Sequence, residues 1–130
     1  MPQAITPYLL YEDADGAVGF LTRAFGFREV DRTIGGGGGV HIEMEIAPGG
    51  ARIYLGSPGG SFRGPAKVGR TSMQYVLVDD VNAHHARAKA AGAAIIEELV
   101  DLPYGDRRYT SRDPQGHEWT FATPIASLRQ

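Results

Sequence analysis

Shifted by 66 residues without gaps, the chain lays one half of itself onto the other. Asp13 meets Asp79 where a helix begins, Ala17 meets Ala83, Ala24 meets Ala90, and Gly26 meets Gly92 where both helices stop. Gly39 meets Gly105, Pro48 and Gly50 meet Pro114 and Gly116, Ile53 and Leu55 meet Trp119 and Phe121, and Pro58 meets Pro124. Total identity is low, but caps match caps and turns match turns, which is the mark of a duplication. Each half reads strand–helix–strand–strand–strand. A four-stranded sheet with one helix leaves its other face bare, so two such sheets are expected to curl together around a cavity.

The elements follow from local signals. Ala14, Ala17, Val18, Leu21 and Phe25 fall at helical spacing behind a capping Asp13 or Asp15. Gly26 stands where a helix ends in the left-handed conformation. Strands are expected over 4–11 and 27–34. In residues 40–46, Val40, Ile42, Met44 and Ile46 point one way and His41, Glu43 and Glu45 the other. Residues 51–57 make the next strand. In the second half strands are expected over 71–79, 93–100, 106–112 and 117–123, with a helix over about 81–91 behind Asp79-Asp80. Gly35 to Gly39 is an unbroken glycine run and reads as a flexible hairpin loop. The stretch 58–70, with Arg63, Lys67 and Arg70, reads as a mobile basic connection. The division is thus one domain over 1–130, with a first module at about 4–58, a linker at about 58–70 and a second module at about 71–124.

Composition narrows the function classes. Lys and Arg total 13 against 15 Asp and Glu, a net charge of -2. That argues against nucleic acid, whose binding needs a basic surplus. No apolar run approaches the roughly 20 residues of a membrane span. With no cysteine, disulfides, Cys-type zinc sites and thiol nucleophiles are excluded. Met1-Pro2-Gln3 lacks the character of a signal peptide, so the expected location is the cytoplasm.

The duplicated βαβββ plan, Val78-Asp79-Asp80-Val81 before the second helix, and Asp113-Pro114-Gln115-Gly116-His117-Glu118-Trp119 before the last strand together resemble the vicinal oxygen chelate superfamily. This is the glyoxalase/bleomycin-resistance/extradiol-dioxygenase family. Tyr104-Gly105-Asp106-Arg107-Arg108-Tyr109 followed by Asp113-Pro114 is similar to its PhnB-like branch. The resemblance implies an α+β fold of two βαβββ modules, a cup-shaped mixed sheet with helices outside. It also implies a homodimer and a small-molecule ligand. Functions in the family include glyoxalases, ring-cleaving dioxygenases, epimerases, thiol transferases and antibiotic-sequestering proteins.

Metal-using members of that family place His, Glu or Gln at four sheet positions. Carried onto this chain, those positions fall on Thr6 (or Pro7 if the strand slips by one), Tyr54, Met73 and Thr120. Threonine and methionine are poor ligands for hard or borderline divalent cations, and tyrosine ligates only as phenolate. No metal or other cofactor is therefore expected. By the ungapped repeat His41, Glu43 and Glu45 face Arg107, Tyr109 and Ser111. The expected ligand lining is Tyr8, Tyr54, Met73, Arg107, Tyr109 and Thr120, with Glu43 or His41 as the candidate proton-transfer group. A solvated strand face with ordinary ion pairs is the plainer alternative for the same residues, and a non-standard metal site shared by two neighbours among His41, Glu43 and Glu45 is the third.

Other residues read as structural. His84 and His85 diverge by about 100° on a helix and are expected at its surface. His117 starts a strand beside a turn, Trp119 and Phe121 are expected under the helices, and the Asp113–Gly116 turn needs no chemistry. The sequence thus points first to a metal-independent binding protein for an antibiotic or metabolite. The alternatives are a glyoxalase-like lyase or isomerase in which Arg107 or Arg108 anchors an anion and Glu43 is the base, a dioxygenase-related enzyme with a non-standard active site, and a partner-binding module whose cup is vestigial.

Overall fold

The computed structural model of the protein describes residues 5–34 and 39–128. Residues Met1–Gly64 and Pro65–Gln130 form two compact units. The expectations for the N-terminal Met1-Pro2-Gln3, for residue 4 and for Gly35 to residue 38 lie outside the described residues.

In the first unit β1 (Tyr8–Leu10), α1 (Ala14–Phe25), β2 (Arg28–Ile34), β3 (Val40–Glu45) and β4 (Arg52–Ser57) follow in order. The sheet order is β1-β4-β3-β2. β1 runs parallel to β4, because the helix carries the chain over the sheet between β1 and β2, and the other pairs are antiparallel. Asp13 caps α1 by accepting from the Gly16 amide at 3.0 Å, and Gly26 ends it at φ 77°. Ala17, Phe20, Leu21, Ala24 and Phe25 are buried on the helix, as are Leu9, Ile42, Met44, Ile53 and Leu55 on the strands. Burial of each large apolar side chain contributes about 1.5–3 kcal/mol, so this face is committed to the core.

The second unit repeats the plan: β5 (Gln74–Leu77), α3 (Val81–Ala90), β6 (Ala94–Asp101), β7 (Asp106–Arg112) and β8 (Glu118–Pro124). Its order is β5-β8-β7-β6, with β5 parallel to β8. Val81, Ala88, Tyr109, Trp119 and Phe121 form its core. The architecture is thus α+β, built of two mixed four-stranded sheets with helices, as expected.

Two short helices add to that plan, α2 (Pro65–Val68) and α4 (Ile125–Leu128). The first lies within the connection over 58–70. The Ala66 amide donates to the Gln115 carbonyl at 3.3 Å, holding α2 on the turn before β8. That turn is built on Asp113, which is buried. Its Oδ1 accepts from the Gln115 and His117 amides, and its Oδ2 accepts from the Trp119 indole N–H at 3.2 Å.

The ungapped shift holds for β4 against β8 and fails for β3 against β7. Tyr54 pairs with Glu43, but Thr120 pairs with Thr110, so Glu43 corresponds to Thr110, one residue beyond the ungapped match to Tyr109. The cause is the turn. Ile46 and Ala51 close a four-residue loop, whereas Asp113 and His117 close one of three. A one-residue slip exchanges the faces of a strand. Helix starts shift likewise: Asp80, not Asp79, caps α3, its Oδ1 accepting from the Asn82 and Ala83 amides. One correspondence escaped the simple comparison. Ser57 Oγ accepts from the Ala14 amide and Thr123 Oγ1 from the Val81 amide, both at 2.9 Å, so each last strand ends in a hydroxyl that tethers the first turn of its helix.

Candidate functional site

The face of the first sheet away from α1 carries the candidate site. Tyr8 stands opposite Tyr54, and Tyr54 opposite Glu43; one step along, Leu10 pairs with Gly56 and Gly56 with His41. Alternation puts all six side-chain positions on one face. Three rings cluster there. The Tyr8 and His41 centroids are 5.3 Å apart, Tyr8 and Tyr54 5.9 Å edge-on, and His41 and Tyr54 4.9 Å edge-on.

A chain of polar contacts runs across the rings. Tyr8 Oη lies 2.8 Å from His41 Nδ1, and His41 Nε2 lies 3.1 Å from Glu43 Oε2. Arg52 donates to Glu43 Oε1 at 3.0 Å. The far end is open: Tyr8 is 50% exposed, while the Glu43 side chain is 19% exposed. Beside it opens a groove of about 480 Å³, bordered by Tyr8, Leu10, Thr33, His41, Gly56 and Pro58. Gly56 makes room for Tyr8, since a Cβ there would meet Tyr8 Cε1 at 2.8 Å. Glu45, on the same strand face, points to other work. It is buried, bonded to Arg28 and accepts from the Gly49 amide at 2.9 Å, and the Arg28 bond holds its carboxyl below the usual glutamate range against the opposing effect of burial.

The face of the second sheet away from α3 is different. Thr120 is buried and shares a 2.8 Å hydroxyl contact with Thr110. Met73, just before β5, is 46% exposed. Tyr75 donates to Asp106 Oδ2 at 2.7 Å and lies 3.1 Å from the Tyr104 hydroxyl, which also accepts from Arg108. Burial, then Tyr104 and Asp106, push the Tyr75 hydroxyl pKa upward, so it stays protonated.

Arg107 and Tyr109 lie on the opposite side from the expected lining, and this corrects the sequence reading. Arg107 donates to Asp101 at 2.7 Å and to Asn82 at 3.3 Å, beside the start of α3. Tyr109 is fully buried, stacked with Phe121 at 5.5 Å and 2.5 Å from His84 Nδ1 through its hydroxyl; burial raises its pKa. The shorter turn before β8 moves the correspondence by one residue, so Arg108 and Thr110 occupy the positions expected for Arg107 and Tyr109. His84 is half-buried, its ring 4.1 Å from that of Phe121. His85 bonds Glu98 at 2.8 Å. Arg52 was missed, although its alternation with Tyr54 on one strand carries the signal.

Threonine and methionine at the positions carried over from the family are poor ligands for a divalent metal. Thr6 is exposed, Met73 offers a thioether, and the Thr120 hydroxyl is engaged by Thr110. His41 and Glu43 bond each other instead of converging on a common point. Among the described residues no three His, Asp or Glu side chains gather as a metal set.

Known proteins share both sequence and fold. The family model for the Glyoxalase/Bleomycin resistance protein/Dioxygenase superfamily matches residues 5–121. An uncharacterized protein of Mycobacterium bovis is 33% identical over 132 aligned positions, covering 96% of this chain and 86% of the relative. The crystal structure of TioX from Micromonospora sp. ML1 superposes with a TM-score of 0.73 at 35% identity, covering 93% of this chain and 95% of TioX. Glyoxalase I from Zea mays shares the fold, with a TM-score of 0.72 at 16% identity over 92% of this chain and 47% of the maize protein.

Proposed function

Since the chain belongs to the Glyoxalase/Bleomycin resistance protein/Dioxygenase superfamily, we propose that it is a member that binds a small organic molecule without a resident metal. The groove beside Tyr8 and His41 is the binding site. The carrying observation is the pairing of this ring-walled groove with threonine, tyrosine and methionine at the family's metal positions. Rings and Leu10 supply apolar contact, and the Tyr8–His41–Glu43 chain supplies fixed polar groups, the usual division of labour in a ligand pocket. Tyr8, His41, Tyr54 and Glu43 remain in this reading; Thr120 and Met73, in the second unit, are tested separately by substitution.

The test has two arms. Protein incubated with Zn, Mn, Fe(II), Ni and Co, then desalted, should retain no stoichiometric metal by elemental mass spectrometry. A thermal-shift screen of apolar antibiotics and small anionic metabolites should yield ligands whose stabilisation falls on Tyr8→Ala. Near-stoichiometric retained metal, or hits indifferent to Tyr8, would overturn the proposal. One observation supports a second reading: the Glu43 carboxylate is braced by Arg52 and linked through His41 to the groove. A glyoxalase-like lyase or isomerase using Glu43 as base predicts turnover that survives chelator and collapses in Glu43→Gln.

A further inference from the structure

The direction of the hydrogen bonds along Tyr8–His41–Glu43–Arg52 says what kind of ligand the groove accepts. A carboxylate has no proton to give, so the 3.1 Å contact requires His41 Nε2 to carry the hydrogen. Arg52 donates to the other carboxylate oxygen, so both Glu43 oxygens are engaged as acceptors. In the neutral imidazole Nδ1 is then a lone pair, and the 2.8 Å contact is a bond donated by the Tyr8 hydroxyl. The phenolic proton is thereby committed inward. What Tyr8 offers to the groove is oxygen lone pairs alone.

We propose, on the basis of the groove reading above, that Tyr8 selects ligands presenting an O–H or N–H donor on an apolar body. An ether or ester oxygen at the same point would meet lone pair against lone pair. Tyr8 is the specificity-determining residue, and Glu43 is a positioning residue that acts by holding the His41 tautomer. Leu10 and the ring edges supply the apolar surroundings, and no Lys or Arg stands among the described residues that border the groove.

Two matched probes test this: 2-naphthol and its methyl ether, 2-methoxynaphthalene. They are titrated at about pH 8, above the ordinary histidine range, and followed by the backbone amide NMR signals of Tyr8, Leu10 and Gly56. The naphthol should bind at least about tenfold tighter than the ether, roughly one hydrogen bond's worth. Tyr8→Phe should bring the ratio to about one with the signals still moving. Glu43→Gln should lower the ratio and, in ¹⁵N spectra of the His41 ring, weaken the Nε2–H signature; a merely structural glutamate would leave that signature unchanged. Equal binding of both probes, or an undiminished ratio in Tyr8→Phe, would overturn the inference while leaving the groove reading intact. If neither probe moves those signals the inference also fails, and the groove reading then stands or falls by the antibiotic and metabolite screen.

Discussion

Replacing Gly56 by alanine should damage the site while sparing the fold. The new Cβ would lie 2.8 Å from Tyr8 Cε1, 3.0 Å from its hydroxyl oxygen and 3.3 Å from Cζ. Ordinary contact begins at 3.4 Å, so the ring must retreat by at least 0.6 Å at Cε1, the difference of those two distances. It can do so, because Tyr8 is half exposed and the colliding atoms belong to a side chain. Gly56 does not need positive φ, so alanine adds no backbone strain there. Losing the Tyr8–His41 bond costs about 1 kcal/mol. Restricting the unfolded chain returns about 0.4–1 kcal/mol. Stability should therefore stay within about 1 kcal/mol of the parent in urea titrations, while the His41 ring ¹⁵N signals lose the mark of a bond at Nδ1 and affinity for 2-naphthol falls about tenfold. A variant that keeps both the Nδ1 signature and the affinity would refute the packing of Tyr8 over Gly56. A variant that unfolds would refute the claim that the ring can give way.

Three further outcomes concern the framework. Gly116→Ala should cost about 2–5 kcal/mol, because φ 99° strains any side chain and the Cβ would strike the Ala66 amide nitrogen at 2.3 Å. Gly92→Ala, at φ 85° with no atom within 4 Å, should cost only about 1–2 kcal/mol; equal losses in chemical denaturation would rule out the close approach of α2. The Glu45 carboxyl, held low by Arg28, contributes stability above the ordinary glutamate value of about 4.3 that disappears as pH falls through its lower folded value. Glu45→Gln should flatten that acid limb, and an unchanged slope in melts across pH 5 to about 2 would contradict the pairing. For Tyr109 the sign is opposite: burial raises it, so its contribution is intact below about pH 10 and lost as pH rises further. Tyr109→Phe should therefore show a shallower alkaline decline, and a parent-like decline would place that hydroxyl in solvent.

Much of this was legible in the sequence because local rules and tertiary packing agree. Asp13 caps and Gly26 terminates one helix through side-chain and backbone geometry that needs no partner. The Val40–Glu45 alternation resolved His41 and Glu43 onto one face without ambiguity. Arg107 and Tyr109 were misplaced because a face is set by the register with a neighbouring strand, and that register hangs on the count of residues in a distant turn. Periodicity within Asp106–Arg112 could not settle it, since arginine, tyrosine, threonine and serine mark neither face as apolar. His84 misled for a related reason: its polarity suggests solvent, but Tyr109 provides a buried hydrogen-bond partner. Proline and glycine around α2 disguised a helix whose anchor, the Gln115 carbonyl, lies far away in sequence.

The unequal turns before β4 and β8 act as a hidden offset in the internal repeat. The three-residue turn leaves each strand of the second sheet facing as its counterpart does and moves only the numbering, so His41 and Glu43 answer to Arg108 and Thr110 and not to Arg107 and Tyr109. One half presents a histidine and a glutamate on that face, the other an arginine and a threonine, without any change in strand order. A repeat with such an offset carries two unlike surfaces on one plan, and a comparison that counts residues without gaps assigns them to the wrong side of the sheet.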